Sequence, residues 1–338
     1  MSKYLITGLD LSKNNAGPKA RTDINYFLRQ VGFRDLCKFD FKQAFIHWRK
    51  HEYMWHQIPQ ALENLKGQDS TVVFQYPIYS KLLMQRILRA AKENVRRFYV
   101  IVHDLESLRI FKKRPGFQQF EVNFFNQTSG LIVHNDHMKQ ALREMGVKVP
   151  MVSLEIFDYY DDASLMITRP FNRQVAFAGN LAKANFLEKW NLKQSIHLYG
   201  PHKHLHYPEN VKYCGLYSPE ELPNHLQESF GLIWDGNRLD ECNGMYGDYL
   251  KYNNPHKTSL YLSSGMPVIV WNQSAMADFV KQQHVGIAIA DLHDLDQLLP
   301  TMSAADYAEM QHNAVELAKK LRTGWYIKRG IEKLMQLN

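Results

Sequence analysis

Two places in the chain set reactive side chains beside the end of an apolar run. The first is His103-Asp104, directly after FYVIV at residues 98–102. An imidazole or a carboxylate at a strand tip is well placed to act as a general base. Asp104 is equally suited to cap the helix that follows, with Glu106 in its first turn. The second is His256-Lys257, which follows Asn254-Pro255 and opens an apolar-periodic run over 257–262. Asn followed by Pro is a helix-start signal. The free N–H groups of a helix N-terminus attract anions, so a lysine there points to a phosphate-bearing ligand. The plain alternative is a surface loop leading into an ordinary packed helix.

Strands and helices must hold these residues in place. The stretch 229–271 reads as a buried strand at 230–234, a polar Gly/Asn-rich loop, a helix stopped by Ser264-Gly265, and a second buried strand at 266–271. The loop runs to about 20 residues, a length usually kept for function. Its tyrosines, Tyr246, Tyr249 and Tyr252, would serve equally as cover for the core. Near the N-terminus a strand at 4–9 leads through Gly17-Pro18 into a helix with Lys19 and Arg21 on its first turn. A glycine in a strand-to-helix turn lets backbone approach a phosphate. No full glycine fingerprint is present, so a plain connection fits as well.

Between these ends, strands at 34–39, 71–76, 98–102 and 131–133 alternate with helices at 41–65, 81–92, 117–125 and 136–145. The helical stretch 41–65 is broken near Pro59. It holds His47, His51 and His56, whose spacing drifts off one helix face and suits packing or acceptor contacts better than a metal. A polar, acidic segment at 158–172 reads as a link. A second alternation follows, with strands at 174–178, 196–199 and 285–290 and helices at 219–227 and 304–321. Gly179-Asn180 closes the strand at 174–178, and a last helix follows Thr323-Gly324. The alternate histidines His202, His204 and His206 sit in a Pro/Gly loop and read as solvated. Strand-helix alternation predicts an α/β protein with parallel sheets. We expect two facing Rossmann-like domains, 1–157 and 173–322, with a ligand cleft between them.

Bulk properties agree. The chain has 338 residues, 45% hydrophobic and 22% charged, which suits two globular domains. The net charge of +7 favours anionic partners. No long Lys/Arg run and no nucleic-acid signature is present, so nucleic acid is not expected. Cys37, Cys214 and Cys242 lack metal spacing and fit free thiols in a reducing cytoplasm. No signal peptide or membrane-spanning run is evident.

The block FGLIWDG…GDYLKYNNPHKTSLYLSSGMPVIVW closely resembles bacterial β-1,6-galactofuranosyltransferases of the O-antigen and capsule type. More distantly it is similar to the glucosyltransferases that extend sugars on serine-rich-repeat adhesins. NNAGPKAR, VHDLESLR, IFDY at 156–159 and FAGNL at 177–181 follow the same pattern in the same order. The resemblance implies a GT-B fold, an interdomain cleft, and a crossing helix, 325–338, that packs back on the N-terminal acceptor domain. It implies a UDP-sugar donor held mainly by the C-terminal domain, and no cofactor or metal. Asp294-Leu295-Asp296 falls in a predicted helix, not at a strand end where a metal-binding Asp-x-Asp would stand. Without a metal, a helix N-terminus and a lysine must meet the charge of the leaving UDP.

The roles carried over are these. Lys257 resembles the diphosphate-binding lysine, with Thr258 and Ser259 adding hydroxyl and N–H bonds. Asn180 after Gly179, and Tyr217, resemble residues that meet the nucleotide. Asp235 and Asp248 would hold sugar hydroxyls. Gly17 would let the N-terminal loop approach the donor, with Lys19 or Arg21 steering its charge. Inversion needs one base, Asp104 first and His103 second. The resemblance points to galactofuranose transfer from UDP-galactofuranose to the 6-hydroxyl of a terminal glucoside. Alternatives are UDP-glucose or UDP-galactose as donor, or a non-catalytic glycan-binding or partner subunit. The acceptor would be a glycan or lipid-linked saccharide, with peripheral contact to the anionic inner membrane. Relatives suggest a homo-oligomer.

Overall fold

A computed structural model describes residues 2–9, 16–40, 47–78 and 80–337. Strands β1 (Ser2–Leu9), β2 (Phe33–Asp40), β3 (Ser70–Tyr76), β4 (Arg97–Val102), β5 (Gly130–Val133) and β6 (Met151–Ser153) form one sheet. Strands β7 (Val175–Ala178), β8 (Ile196–Tyr199), β9 (Val211–Gly215), β10 (Phe230–Ile233), β11 (Val268–Trp271) and β12 (Gly286–Ile289) form the other. All pairings are parallel. Every residue of β3, β5, β7, β10 and β11 is buried, which is why all but β3, with its buried Ser70, Thr71 and Gln75, read as continuous apolar runs.

The chain divides into two units. One takes residues 17–155 with the N-terminal strand and returns for 326–338; the other takes 156–325. The final helix, Trp325–Gln336, buries Ile327, Ile331 and Leu334 in the first unit, where Leu334 crosses Gly130 and Gly330 lies over Ile132 and Leu154. Among the described residues, no helix is long and apolar enough to cross a membrane.

The first sheet has the order β2-β1-β3-β4-β5-β6, so its strand order reverses between β1 and β3. The second has the order β12-β11-β10-β7-β8-β9. Counted from β7, that is the 3-2-1-4-5-6 order of dinucleotide-binding sheets, with its reversal between β7 and β10. Ligands of such sheets bind outside the carboxyl ends of the strands at this reversal.

Several expected elements change form. The run at 41–65, of which 41–46 lie outside the described residues, passes through Pro59 without a break. Helix His47–Glu52 widens into a π-turn at Tyr53–Gln57 and resumes as Ile58–Glu63. Proline lacks an N–H and clashes with the carbonyl four residues back, and the wider turn accommodates both defects. At 219–227 only a 3₁₀ turn, Leu222–His225, forms. Ser218 and Glu221 exchange capping bonds, but Pro223 would fall inside a longer helix. The segment 158–172 is no exposed tether. Arg169 is buried and donates to the carbonyls of Leu226 at 2.7 Å and Ser264 at 3.0 Å, and Asp161 pairs with Arg322 at 2.8 Å.

Candidate functional site

The reversal between β7 and β10 is held open by one side chain. The two strands pair only at Phe230↔Val175 and Gly231↔Ala176. Beyond that, the Tyr261 hydroxyl accepts from the Ala178 N–H at 2.6 Å and donates to the Ala176 carbonyl at 3.3 Å. Its ring crosses Gly231 so closely that a Cβ there would lie 2.2 Å from ring atoms. Glycine in a strand interior often marks such an approach. Tyr261 comes from the helix His256–Ser263, so the wedge also fixes that helix against the reversal.

The N-terminus of this helix meets the end of β10. Pro255 occupies the cap position and supplies no side-chain oxygen. Lys257 Nζ lies 3.0 Å from Asp235 Oδ1, 3.2 Å from the Trp234 carbonyl and 4.6 Å from the centre of the Phe177 ring. Phe177 belongs to β7 and Asp235 follows β10, so the ammonium spans both strands of the reversal. Thr258, in the same turn, is fully buried, and its Oγ1 has no hydrogen-bond partner among the described residues. Ser259 points elsewhere: its hydroxyl proton is committed to the Phe157 carbonyl at 2.7 Å. One helical step turns the side chain toward the 156–159 segment, whose Phe157 and Tyr159 also pack on the His256 ring. Of the two hydroxyls singled out in the sequence, only that of Thr258 is left without a partner among the described residues.

The loop after β10 is not structureless. It folds around a short helix, Gly244–Tyr249, in which a Cβ on Gly247 would lie 2.7 Å from the Asp235 carbonyl. Tyr249 is buried in the core, and Tyr246 receives the Lys183 ammonium 3.9 Å over its ring. Asp248 is half-buried in the same helix. Gly179, at φ 151°, and Asn180 follow β7, and Asn180 caps the turn Leu181–Lys183 by accepting from the Ala182 N–H at 3.1 Å. Lys183 and Tyr261 went unmarked in the sequence, although the glycine inside FGLI signalled the close approach that Tyr261 makes.

Tyr217 lies beyond β9. It stacks on His225 at 3.7 Å and 16° between planes. Behind it, the Glu228 carboxylate accepts from the Tyr199 hydroxyl at 2.8 Å and contacts His197 Nδ1 at 2.6 Å. Burial would raise the Glu228 carboxyl, but the hydrogen bonds from His197 and Tyr199 outweigh it and hold it below the usual range. Among the described residues no hydrogen bond or ring contact joins Tyr217 to Lys257.

In the N-terminal unit His103 and Asp104 do stand at the end of β4. Leu105, not Asp104, holds the cap position of the turn Glu106–Leu108, and Asp104 Oδ2 pairs with Arg109 Nη2 at 3.0 Å. His103 Nε2 lies 2.7 Å from Gln75 Oε1. The Gln75 amide donates at 2.8 Å to Asn25 Oδ1, which also accepts from Thr7 at 2.9 Å. This chain assigns the proton to His103 Nε2 and leaves Nδ1 as the ring's acceptor. Two buried groups set the turn. The Glu121 carboxylate accepts from the Tyr76 hydroxyl at 2.6 Å and from the N–H groups of Glu106 at 3.0 Å and Ser107 at 3.1 Å. Burial pushes its carboxyl up despite these bonds. His134 Nε2 donates to the His103 carbonyl at 3.0 Å, and burial pushes its ring down to about 3, so it stays neutral.

Lys19 and Arg21, expected on an open first turn, are buried and engaged by protein groups. Lys19 is 7% exposed and bound to Asp23 at 2.7 Å; Arg21 is 5% exposed and donates to the carbonyls of Gln75 at 2.9 Å and Pro77 at 2.7 Å. Both lie on the buried side of helix Ala16–Arg29, which starts two residues before Pro18. Gly17 lies in its first turn, and the loop 10–15 is outside the described residues. Asp296 accepts from the Lys193 and Gln194 N–H groups at 2.9 and 3.0 Å, a structural role. His204 is engaged by Glu188 at 2.6 Å and by the Leu181 carbonyl at 2.9 Å.

Comparison with known proteins places this geometry. The profile described as "Glucosyltransferase 3-like, N-terminal domain" matches residues 3–156, and its C-terminal counterpart matches residues 175–334. The chain is 31% identical to the β-1,6-galactofuranosyltransferase WbbI of Escherichia coli K12 over 71% of each chain. It is 22% identical to glucosyltransferase 3 of Streptococcus gordonii over 97% of this chain and 96% of the relative. Among solved structures, sucrose-phosphate synthase from Thermosynechococcus elongatus aligns at TM-score 0.65 and 10% identity, covering 100% of this chain and 98% of that one. Anabaena HepE, solved with UDP and glucose, aligns at TM-score 0.60 and 13% identity over 99% and 100%. The fold is therefore GT-B, and the chain belongs to the glucosyltransferase 3-like family of glycosyltransferases.

Proposed function

We propose that the protein transfers galactofuranose from UDP-galactofuranose to the 6-hydroxyl of a terminal glucoside, with inversion to a β-1,6 linkage. The observation that carries the donor assignment is the uncapped first turn of helix His256–Ser263 at the β7/β10 reversal, with the Lys257 ammonium beside it. A diphosphate there would accept from the helix N–H groups and from Lys257. It would also accept from Thr258 Oγ1, relieving a buried hydroxyl that otherwise lacks a partner. Asp235 tethers Lys257 in the free protein and is placed to accept sugar hydroxyls once the lysine turns to phosphate. HepE supports a uridine nucleotide by analogy of fold, and WbbI supports the sugar and the linkage by name.

In the transfer, the acceptor oxygen attacks C1 of the sugar. The bond from C1 to the β-phosphate oxygen breaks, and UDP leaves with the electron pair. The acceptor proton passes to Asp104, or to His103 Nδ1 in the second assignment. Charge on the departing UDP is met by Lys257 and the helix N-terminus, so no metal enters the step. The acceptor is a glycan or lipid-linked saccharide.

The family's glucosyltransferase members favour a second reading, UDP-glucose as donor. The purified protein, incubated in EDTA with an alkyl α-glucoside and each of UDP-galactofuranose, UDP-galactose and UDP-glucose, separates the two. A β-1,6-galactofuranoside from the first donor alone is the expected product. Transfer only from a pyranose donor overturns the sugar assignment and keeps the fold. Transfer that needs added metal overturns the metal-free step.

A further inference from the structure

The helical run from His47 to Glu63 is apolar on two sides. Its inner side buries Tyr53, Ile58 and Leu62 against the N-terminal unit, which accounts for its packing. Two tryptophans remain on the outside, Trp48 at 61% exposed and Trp55 at 47%. The adjacent helix Lys81–Asn94 adds Leu82, 60% exposed and one turn from Arg86. Arg86 lies 3.4 Å over the Trp55 ring, and Arg49 lies 4.2 Å over Trp48. Among the described residues, Arg49, Lys50 and Arg86 form no ion pair, although the half-buried Glu52 is close in sequence. Core packing explains none of these outer groups.

We propose that this face docks the N-terminal unit on an anionic lipid surface. Indole rings prefer the headgroup level of a bilayer, where their apolar body and N–H are both accommodated. Unpaired cations beside them are drawn to anionic headgroups and fade in high salt. An arginine stacked on each tryptophan joins the two preferences in one group. A net positive charge, Arg49, Lys50 and Arg86 against Glu52, together with large exposed apolar side chains thus selects anionic lipid over a neutral surface. This inference is independent of the donor and of the transfer step, since lipid binding is read without turnover.

The test is sedimentation of the whole protein with vesicles of phosphatidylglycerol and phosphatidylethanolamine, against vesicles of phosphatidylcholine. Binding to the anionic vesicles is expected to be on the order of tenfold to a hundredfold tighter and to fall in high salt. Trp48→Ala with Trp55→Ala should weaken it about tenfold or more. Arg49→Glu with Arg86→Glu should remove the salt-sensitive part. A second readout needs no loss of the patch. In a Trp325→Phe background, the remaining tryptophans Trp190, Trp234 and Trp271 are buried, so brominated lipid should quench Trp48 and Trp55 selectively. No sedimentation with anionic vesicles, unquenched fluorescence on bound vesicles, or unchanged binding by the tryptophan double variant would each overturn the proposal. So would binding only to another protein.

Discussion

Lys257, Thr258 and Asp104 make separable predictions because their surroundings differ. Lys257→Ala removes a charge-assisted contact, so UDP affinity should fall by about 1.5–3 kcal/mol, on the order of tenfold to a hundredfold. Isothermal titration with UDP checks this, and unchanged affinity would remove Lys257 from the phosphate site. Thr258→Val keeps the shape and deletes a buried hydroxyl that has no partner in the free protein. An unsatisfied buried polar group costs about 1–3 kcal/mol, so this variant should melt at the same temperature or higher while binding UDP less well. A structural hydroxyl would show the opposite pairing. Asp104→Asn should spare UDP affinity and lower kcat by about a hundredfold or more, the usual weight of a positioned base. Near-normal turnover would pass the base role to His103. The sequence exposed Lys257 through the Asn-Pro before it, whereas nothing in the string PHKTS separates Thr258 from Ser259. That difference arises because consecutive helical side chains point about 100° apart and only one meets the 156–159 segment.

Elements were legible wherever burial made a signal. Buried strands such as β7, β10 and β11 read as apolar runs, and the long helix Ala304–Leu321 read from its periodicity. The strands that escaped notice, β6 and β9, are short outer strands of their sheets. Only the first residue of each is buried, so their sequences carry little pattern. Buried polar groups that brace the turn after β4 escaped as well, since a glutamate and a histidine inside apolar surroundings look like surface residues in a string. His134 gives that brace a pH dependence. Its folded-state ring is pushed down to about 3, while the unfolded value stays near 6.5. Between those values the unfolded chain binds the extra proton, so stability is lost as pH falls from about 6.5 toward 3, at up to about 1.4 kcal/mol per pH unit. Denaturant melts of His134→Gln across this window should show a shallower slope than the parent. An identical slope would show that His134 titrates freely.

At the scale of the whole chain, the two units differ in what should stabilise them. Each has its own six-stranded sheet and its own core, so calorimetry should resolve two transitions. The proposed diphosphate site is built from residues 156–325 alone, so the proposal ties ligand binding to one of them. At a UDP concentration of 100 Kd, linkage adds about 2.7 kcal/mol to the unit that holds the site. For a unit of this size that should raise its transition by about 5–10 °C and leave the other nearly still. At the same UDP concentration, Lys257→Ala should cut the upward shift to about half or less. The final helix supplies the converse control. Leu334 is fully buried and comes almost last in the chain, yet it packs in the N-terminal unit against Gly130. Leu334→Ala should cost about 2–5 kcal/mol there and lower the transition that UDP does not move. If only one transition is seen and both changes move it, the two units melt as one. If two transitions are resolved and UDP raises the one that Leu334→Ala lowers, the nucleotide binds the N-terminal unit and the Lys257 assignment falls.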